Sequence, residues 1–204
     1  MIMIVNYGLG NIHAIANIYR RLNIDVDVAC SPQELRVADK IILPGVGAFD
    51  WAMTRLNQSG MRDVLEELVV GKSKLVLGIC VGMQMMAKKS DEGLLDGLGW
   101  IDAEVKKFDI SSVTQQTLLP HMGWNDVQPK SSDGFFRDLG SGARFYFLHS
   151  YYFVPSNQNH VLAVTDYNGL YASSVRAENV YGVQFHPEKS HHWGIQLLKN
   201  FAEL

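Results

Sequence analysis

The sequence predicts an α/β fold: a doubly wound, mostly parallel sheet flanked by helices, with additional strands in its second half. Three observations carry this. From Met1 to Gly99 short apolar runs alternate with stretches of helical periodicity, the pattern of strands joined by crossover helices. Between Ala103 and Val183 helical periodicity is scarce and strand-like runs dominate. Trp193, Leu197, Phe201 and Leu204 then recur at helical spacing, so an amphipathic helix should cover the sheet at the end.

Taken in order, Met1 to Val5 reads as a buried strand, and Gly8-Leu9-Gly10 as a turn into a helix with Asn11 at its N-cap and Ile12, Ile15, Tyr19 and Leu22 on its inner face. Ile24, Val26 and Val28 alternate with Asp25 and Asp27 in a second strand. Ser31 and Glu34 flank Pro32 in a capping-box pattern, which starts a short helix. Lys40 to Leu43 is the third strand, Asp50 to Leu56 part of a helix, and Met61 to Val70 another helix, closed by Gly71. Leu75 to Leu77 is a buried strand, which Gly78 to Gly82 turn into a helix through Met86. Later strands are expected at Ala103 to Phe108, Phe145 to Phe153, Val161 to Asp166, Ala172 to Arg176 and Val180 to Phe185. No repeat, linker or low-complexity segment interrupts the chain, so residues 1–204 read as one domain.

Composition bounds the function. A chain of 204 residues with 47% apolar content can fill one core, and a formal charge of -3 gives no reason to expect nucleic acid or an anionic membrane as partner. No apolar run approaches the roughly 20 residues that a membrane span needs. Cys30 and Cys80 are too few for a disulfide framework, and no leader pattern opens the chain, so a reducing cytoplasm is the expected home.

Cys80 sits on the sharpest predicted turn, within Gly78-Ile79-Cys80-Val81-Gly82, where glycines let backbones pass closely and a helix N-terminus favours a thiolate. This pentapeptide alone serves equally for a nucleophile or for a small buried apolar residue. A base decides between them. Val180 to Phe185 delivers His186 at a strand tip, and Glu188 follows two residues on, so cysteine, imidazole and carboxylate form a generalised triad. Cys30 has no such surroundings and reads as structural. His149 lies in an aromatic run that reads as a half-buried strand. His160 and the pair His191-His192 lack the spacing of a metal site, and no metal or cofactor is expected.

Gly78-Ile79-Cys80-Val81-Gly82-Met83-Gln84, paired with Gln184-Phe185-His186-Pro187-Glu188-Lys189-Ser190, resembles the signature pair of triad-type, class I glutamine amidotransferases. Asn6-Tyr7-Gly8-Leu9-Gly10-Asn11 and Pro120-His121-Met122-Gly123-Trp124-Asn125 narrow the resemblance to the glutaminase subunits of imidazole glycerol phosphate synthases. It covers essentially the whole chain.

The resemblance implies glutamine as substrate and hydrolysis to glutamate and ammonia through a Cys80 thioester. His186 would act as acid and base, oriented by Glu188. It assigns Val46 and Gly47, in Pro44-Gly45-Val46-Gly47, to an oxyanion strand, with the Val81 N–H as the other donor. Gln84, Ser150 and Tyr151 would hold substrate. Asn11, His121, Met122, Trp124, Asn125, Tyr146 and Lys189 would face or couple to a partner. That partner would be a (β/α)8 cyclase subunit, in a heterodimer that makes imidazole glycerol phosphate for histidine biosynthesis. The chain carries no phosphate loop or cofactor fingerprint, so the acceptor chemistry belongs elsewhere. Val81, Asn6 and His191-His192-Trp193 leave room for a relative that supplies ammonia to a sugar-modifying synthase. A non-catalytic protein on the same fold fits less well, because Val81 rather than histidine follows Cys80, and His186 and Glu188 are intact.

Overall fold

The computed structural model describes residues 1–109, 119–131, 134–140 and 142–204. Strand β1 (Ile2–Val5) leads through Asn11 into α1 (Ile12–Arg21), whose Ile12, Ile15, Ala16 and Tyr19 are buried. Asn11 holds the N-cap position without a side-chain cap bond. Strand β2 (Val26–Ala29) alternates half-buried and exposed residues. Before α2 (Pro32–Leu35) the capping box is displaced by one residue: Ser31 accepts from the Glu34 N–H, while the Glu34 carboxylate takes the N–H of Cys30 at 2.7 Å. Cys30 itself is exposed, and its sulfur accepts from Asn6 Nδ2 at 3.4 Å.

Strand β3 (Lys40–Gly45) runs two residues beyond its expected end, and α3 (Phe49–Gln58) follows. The single helix expected over Met61 to Val70 is instead α4 (Arg62–Glu66) continued by a π-helical turn, Glu67–Gly71. Strand β4 (Leu75–Cys80) then enters α5 (Val81–Gln84), one turn long and shorter than expected. It stops because the carbonyls of Met85, Met86 and Ala87 are taken by the N–H groups of Leu98, Ile101 and Gly99. Those carbonyls are then unavailable to a continuing helix.

The second half supplies β5 (Lys89–Ser90), β6 (Ala103–Lys107), β7 (His121–Asp126), β8 (Gln128–Pro129), β9 (Arg144–His149), β10 (Tyr151–Pro155), β11 (Val161–Asp166), β12 (Leu170–Ala177) and β13 (Val180–Val183). The run Phe145 to Phe153, expected as one strand, is divided at Ser150. Its halves belong to different sheets: β9 pairs antiparallel with β7, while β10 pairs with β6 and β12. Among the described residues eleven strands form the main sheet, in order β2-β1-β3-β4-β13-β12-β10-β6-β5, with β11 on β12 and β8 on β11. From β2 through β13 every pairing on this path is parallel. The fold is therefore a mixed, mostly parallel α/β sheet with helices. Helix α6 (His191–Glu203) closes the chain with Leu197, Leu198 and Phe201 buried, and α1 ties to it through the Tyr19 hydroxyl, which donates to Leu198 O at 3.1 Å. Leu204, expected on that covering face, lies past the helix end and is exposed.

Parallel register places the carboxyl ends of β3, β4 and β13 side by side, with Gly45 opposite Cys80 and Val183 opposite Ile79. Ligands of open α/β sheets bind at such strand ends.

Candidate active site

Cys80 ends β4 with φ 55° and ψ -113°, a region that a side chain normally avoids. Close packing over-determines the turn. A Cβ on Gly82 would run into the Leu43 carbonyl, and one on Gly45 into the Gly82 amide, so the tip of β3 and the start of α5 meet backbone to backbone. With α5 only one turn long, its dipole adds little at Cys80.

His186 arrives three residues after β13 and is buried, 3% exposed. Its Nδ1 lies 2.9 Å from Glu188 Oε1, which leaves the other ring nitrogen for the sulfur. Burial drives the imidazole pKa down, but the negative charge of Cys80, the hydrogen bond to it and the Glu188 carboxylate overcome that and raise it from 6.5 to about 10. A charged imidazolium is the state these contacts favour. The tip is clamped: His186 N–H donates to Tyr146 O at 2.9 Å, and Ser190 Oγ donates to His186 O at 2.6 Å while accepting the Tyr146 N–H.

A cavity of about 320 Å³ opens over the sulfur, and Val46, Gly47, Val81, Gln84, Ser150, Tyr151 and Lys189 all line it. Gly47 has φ 85°, and Val46 is 37% exposed at the cavity mouth. The base of this loop is fixed by the buried Tyr7 hydroxyl, which donates to Pro44 O at 2.7 Å. Gln84 is 2% exposed, and its Nε2 donates to Tyr151 O at 3.2 Å and to Gln184 Oε1 at 3.0 Å.

A family model described as glutamine amidotransferase class-I matches residues 3–204. The chain belongs to the class-I glutamine amidotransferases. Among curated relatives of this amidotransferase, "Imidazole glycerol phosphate synthase subunit HisH" of Bdellovibrio bacteriovorus is 57% identical over all of both chains. The subunit of the same name from Leptospira interrogans is 47% identical, and HisH 2 of Pseudomonas aeruginosa is 43% identical, again over the full length of both chains. A solved glutamine amidotransferase superposes with TM-score 0.74 at 18% identity, covering 100% of this chain and 99% of that one. PurLQS from Thermotoga maritima gives TM-score 0.68 at 19% identity, covering 99% and 97%. The solved structures establish the amidotransferase fold.

The residues expected at a partner surface divide. Met122 is 65% exposed, Asn11 and Lys189 are exposed, and Asn125 and Tyr146 are half-buried. Trp124 is half-buried and stacks on His191, ring centroids 5.1 Å apart and planes within 5°, with Tyr146 and Trp193 beside it. His121 does not face solvent. It is 3% exposed, stacked between Phe147 and Tyr167, because alternation along β7 turns it inward while Met122 points out.

Four residues that line this cavity were not named as site residues from sequence: Glu92, Pro120, Leu148 and His149. Glu92 lines the cavity and accepts the Phe49 N–H at 2.9 Å, and His149 lines it from the end of β9. Glu92 lies in a loop with no periodic pattern. His149 was visible only as one member of an aromatic run.

Proposed function

We propose that Cys80, His186 and Glu188 are the hydrolytic triad of this amidotransferase and that it passes its ammonia to a cyclase partner. The thiolate attacks the side-chain amide carbon of glutamine, and the tetrahedral intermediate collapses as His186 gives its proton to departing ammonia. His186 then takes a proton from water, which attacks the thioester. Glutamate leaves and the thiolate is restored. Backbone N–H groups of the Val46–Gly47 loop and of Val81 serve the oxyanion, while Gln84, Ser150, Tyr151 and Glu92 form the substrate wall.

The observation that carries the reading is His186 held between a buried carboxylate and the elbow cysteine, at the wall of the cavity over the sulfur. The ammonia serves imidazole glycerol phosphate synthesis in histidine biosynthesis, the activity named for relatives up to 57% identical over their full length. The acceptor site then sits on a second subunit, a (β/α)8 cyclase in a cytoplasmic heterodimer that yields imidazole glycerol phosphate and AICAR. Residues 1–204 act as one amidotransferase domain, whose partner face includes Met122, Trp124, Asn125, Tyr146 and Lys189.

This subunit alone hydrolyses glutamine slowly, and the partner with its acceptor switches it on by setting the Val46 peptide. One missing oxyanion donor costs about 10²–10³ in kcat, enough for such a switch. Glutaminase turnover is measured for the chain alone, with the cyclase, and with cyclase plus an acceptor analogue. A stepwise rise supports the reading. Equal turnover in all three removes the switch, and no hydrolysis in any removes the glutaminase assignment for this site.

A further inference from the structure

Behind the cavity wall the polar side chains that the triad chemistry does not use join into one line. Asn125 on β7 donates from Nδ2 to Asp166 O at 2.9 Å and accepts the Asp126 N–H on Oδ1, so its amide orientation is fixed. The same Nδ2 lies 3.2 Å from His121 Nε2. His121 Nδ1 lies 3.2 Å from His149 Nε2, and His149 Nδ1 lies 2.7 Å from Tyr151 O. Tyr151 O also accepts from Gln84 Nε2, which donates in turn to Gln184 Oε1; Gln184 Nε2 then points at Cys80 Sγ at 3.7 Å.

Carbonyls that can only accept fix the sense of every link. Because Tyr151 O must receive the Nδ1 proton of His149, the Nε2 of a neutral His149 is an acceptor. His121 therefore carries its proton on Nδ1 and takes the Asn125 amide proton on Nε2. The Tyr171 hydroxyl, 3.2 Å from both ring nitrogens, closes a triangle that this arrangement satisfies. Burial lowers the His121 pKa to about 4 and the His149 pKa to about 3, so both rings are neutral at neutral pH. His121, His149, Gln84 and Gln184 are all buried, at 3%, 6%, 2% and 0% exposed. Two donor runs meet at Tyr151 O, one from Asn125 through His121 and His149 and one from Gln84, and each member has one permitted orientation because reversing it strands its neighbours.

We propose that His121, His149 and Gln184 are positioning residues in a buried hydrogen-bonded line that joins Asn125 to the Cys80 sulfur through the shared Tyr151 carbonyl, and through which the partner face sets the orientation of the nucleophile. This rests on the glutaminase reading above, with Asn125 at the partner surface. The line is a physical two-ended connection: displacement of the Asn125 amide on docking removes the donor to His121 and loosens the two rings that, with Gln84, hold the Tyr151 carbonyl.

His121→Phe keeps the stack on Phe147 and Tyr167 but deletes the contacts to Asn125, His149 and Tyr171, and Gln184→Met keeps volume but deletes the donor to sulfur and the acceptor for Gln84. Each should lower partner-stimulated kcat for glutamine about tenfold, with KM moving less than about twofold, the scale of one lost buried hydrogen bond. These two residues do not touch, so independent roles would multiply to about a hundredfold loss in the double variant. The chain predicts instead a double no worse than the poorer single. Multiplicative losses, or singles within twofold of the parent, overturn the proposal. Imidazole ¹⁵N spectra of the unsubstituted protein give a second readout that does not depend on any variant folding: both rings should be neutral with the proton on Nδ1, and an Nε2–H form at either position breaks the chain. A parent complex without glutamine hydrolysis would instead defeat the glutaminase reading, which the spectra do not address.

Discussion

His186 Nδ1 lies 2.9 Å from Glu188 Oε1, and both side chains are sealed from solvent, 4% and 2% exposed. A carboxylate in that position fixes which ring nitrogen faces the sulfur and stabilises the imidazolium once it forms. Glu188→Gln keeps the shape and removes the charge. Expected is a loss of about 10²–10⁴ in kcat for glutamine, the usual worth of a positioned acid–base group, with KM little changed. Steady-state kinetics of the complex check it, and a loss confined to KM would assign Glu188 to substrate binding.

The same contacts make stability depend on pH. Burial opposes the charged ring, yet Cys80 and Glu188 raise the His186 pKa above its ordinary 6.5 to about 10. A group whose pKa is raised by folding contributes stability that is fully present below its unfolded pKa and is lost as pH rises through the folded one. The gap in urea-unfolding free energy between parent and His186→Gln should therefore be widest below pH 6.5 and close as pH rises through about 10. A gap that widens with pH contradicts the assignment.

Gly45→Ala tests the contact between the two strand tips. The added methyl would meet the Gly82 amide and the carbonyl carbon and Cβ of Val81, so β3 and α5 must separate. Overpacking of this kind costs about 1–3 kcal/mol, and it displaces the loop that carries Val46. Thermal melts should show the loss, and kcat should fall further than stability alone requires. Unchanged kcat in a destabilised variant would take the loop out of the chemistry.

Much of this was legible in the sequence, where local signals were strong. The parallel strands through Cys80 are continuous apolar runs, and Gly78 to Gly82 announces the elbow because close backbone approach demands those glycines. What was hidden depends on distant partners. Helix α5 stops early because residues 98–101 capture its next carbonyls, and Phe145 to Phe153 splits because its halves pair with different strands. His121 carries a motif signature but no sign of its facing. Only the pairing of β7 with β9 turns it inward onto His149.

Trp124→Ala removes one face of the stack with His191 on a half-buried surface. The expected effect is a larger fall in ammonia transfer to the acceptor than in glutamine hydrolysis, with the melting temperature nearly unchanged. Product formed per glutamate released by the complex gives the ratio directly. A ratio equal to that of the parent would make Trp124 a packing residue alone.

Cys80→Ser in the assembled complex bears on the whole account, because it removes the only nucleophile assigned to the amide and leaves the partner's acceptor site intact. Product formation is followed with glutamine and, separately, with an ammonium salt as nitrogen source. The account predicts no detectable glutamine-dependent product and an ammonium-dependent rate equal to that of the parent complex. Retained glutamine-dependent synthesis, or loss of both activities in a folded complex, would contradict it.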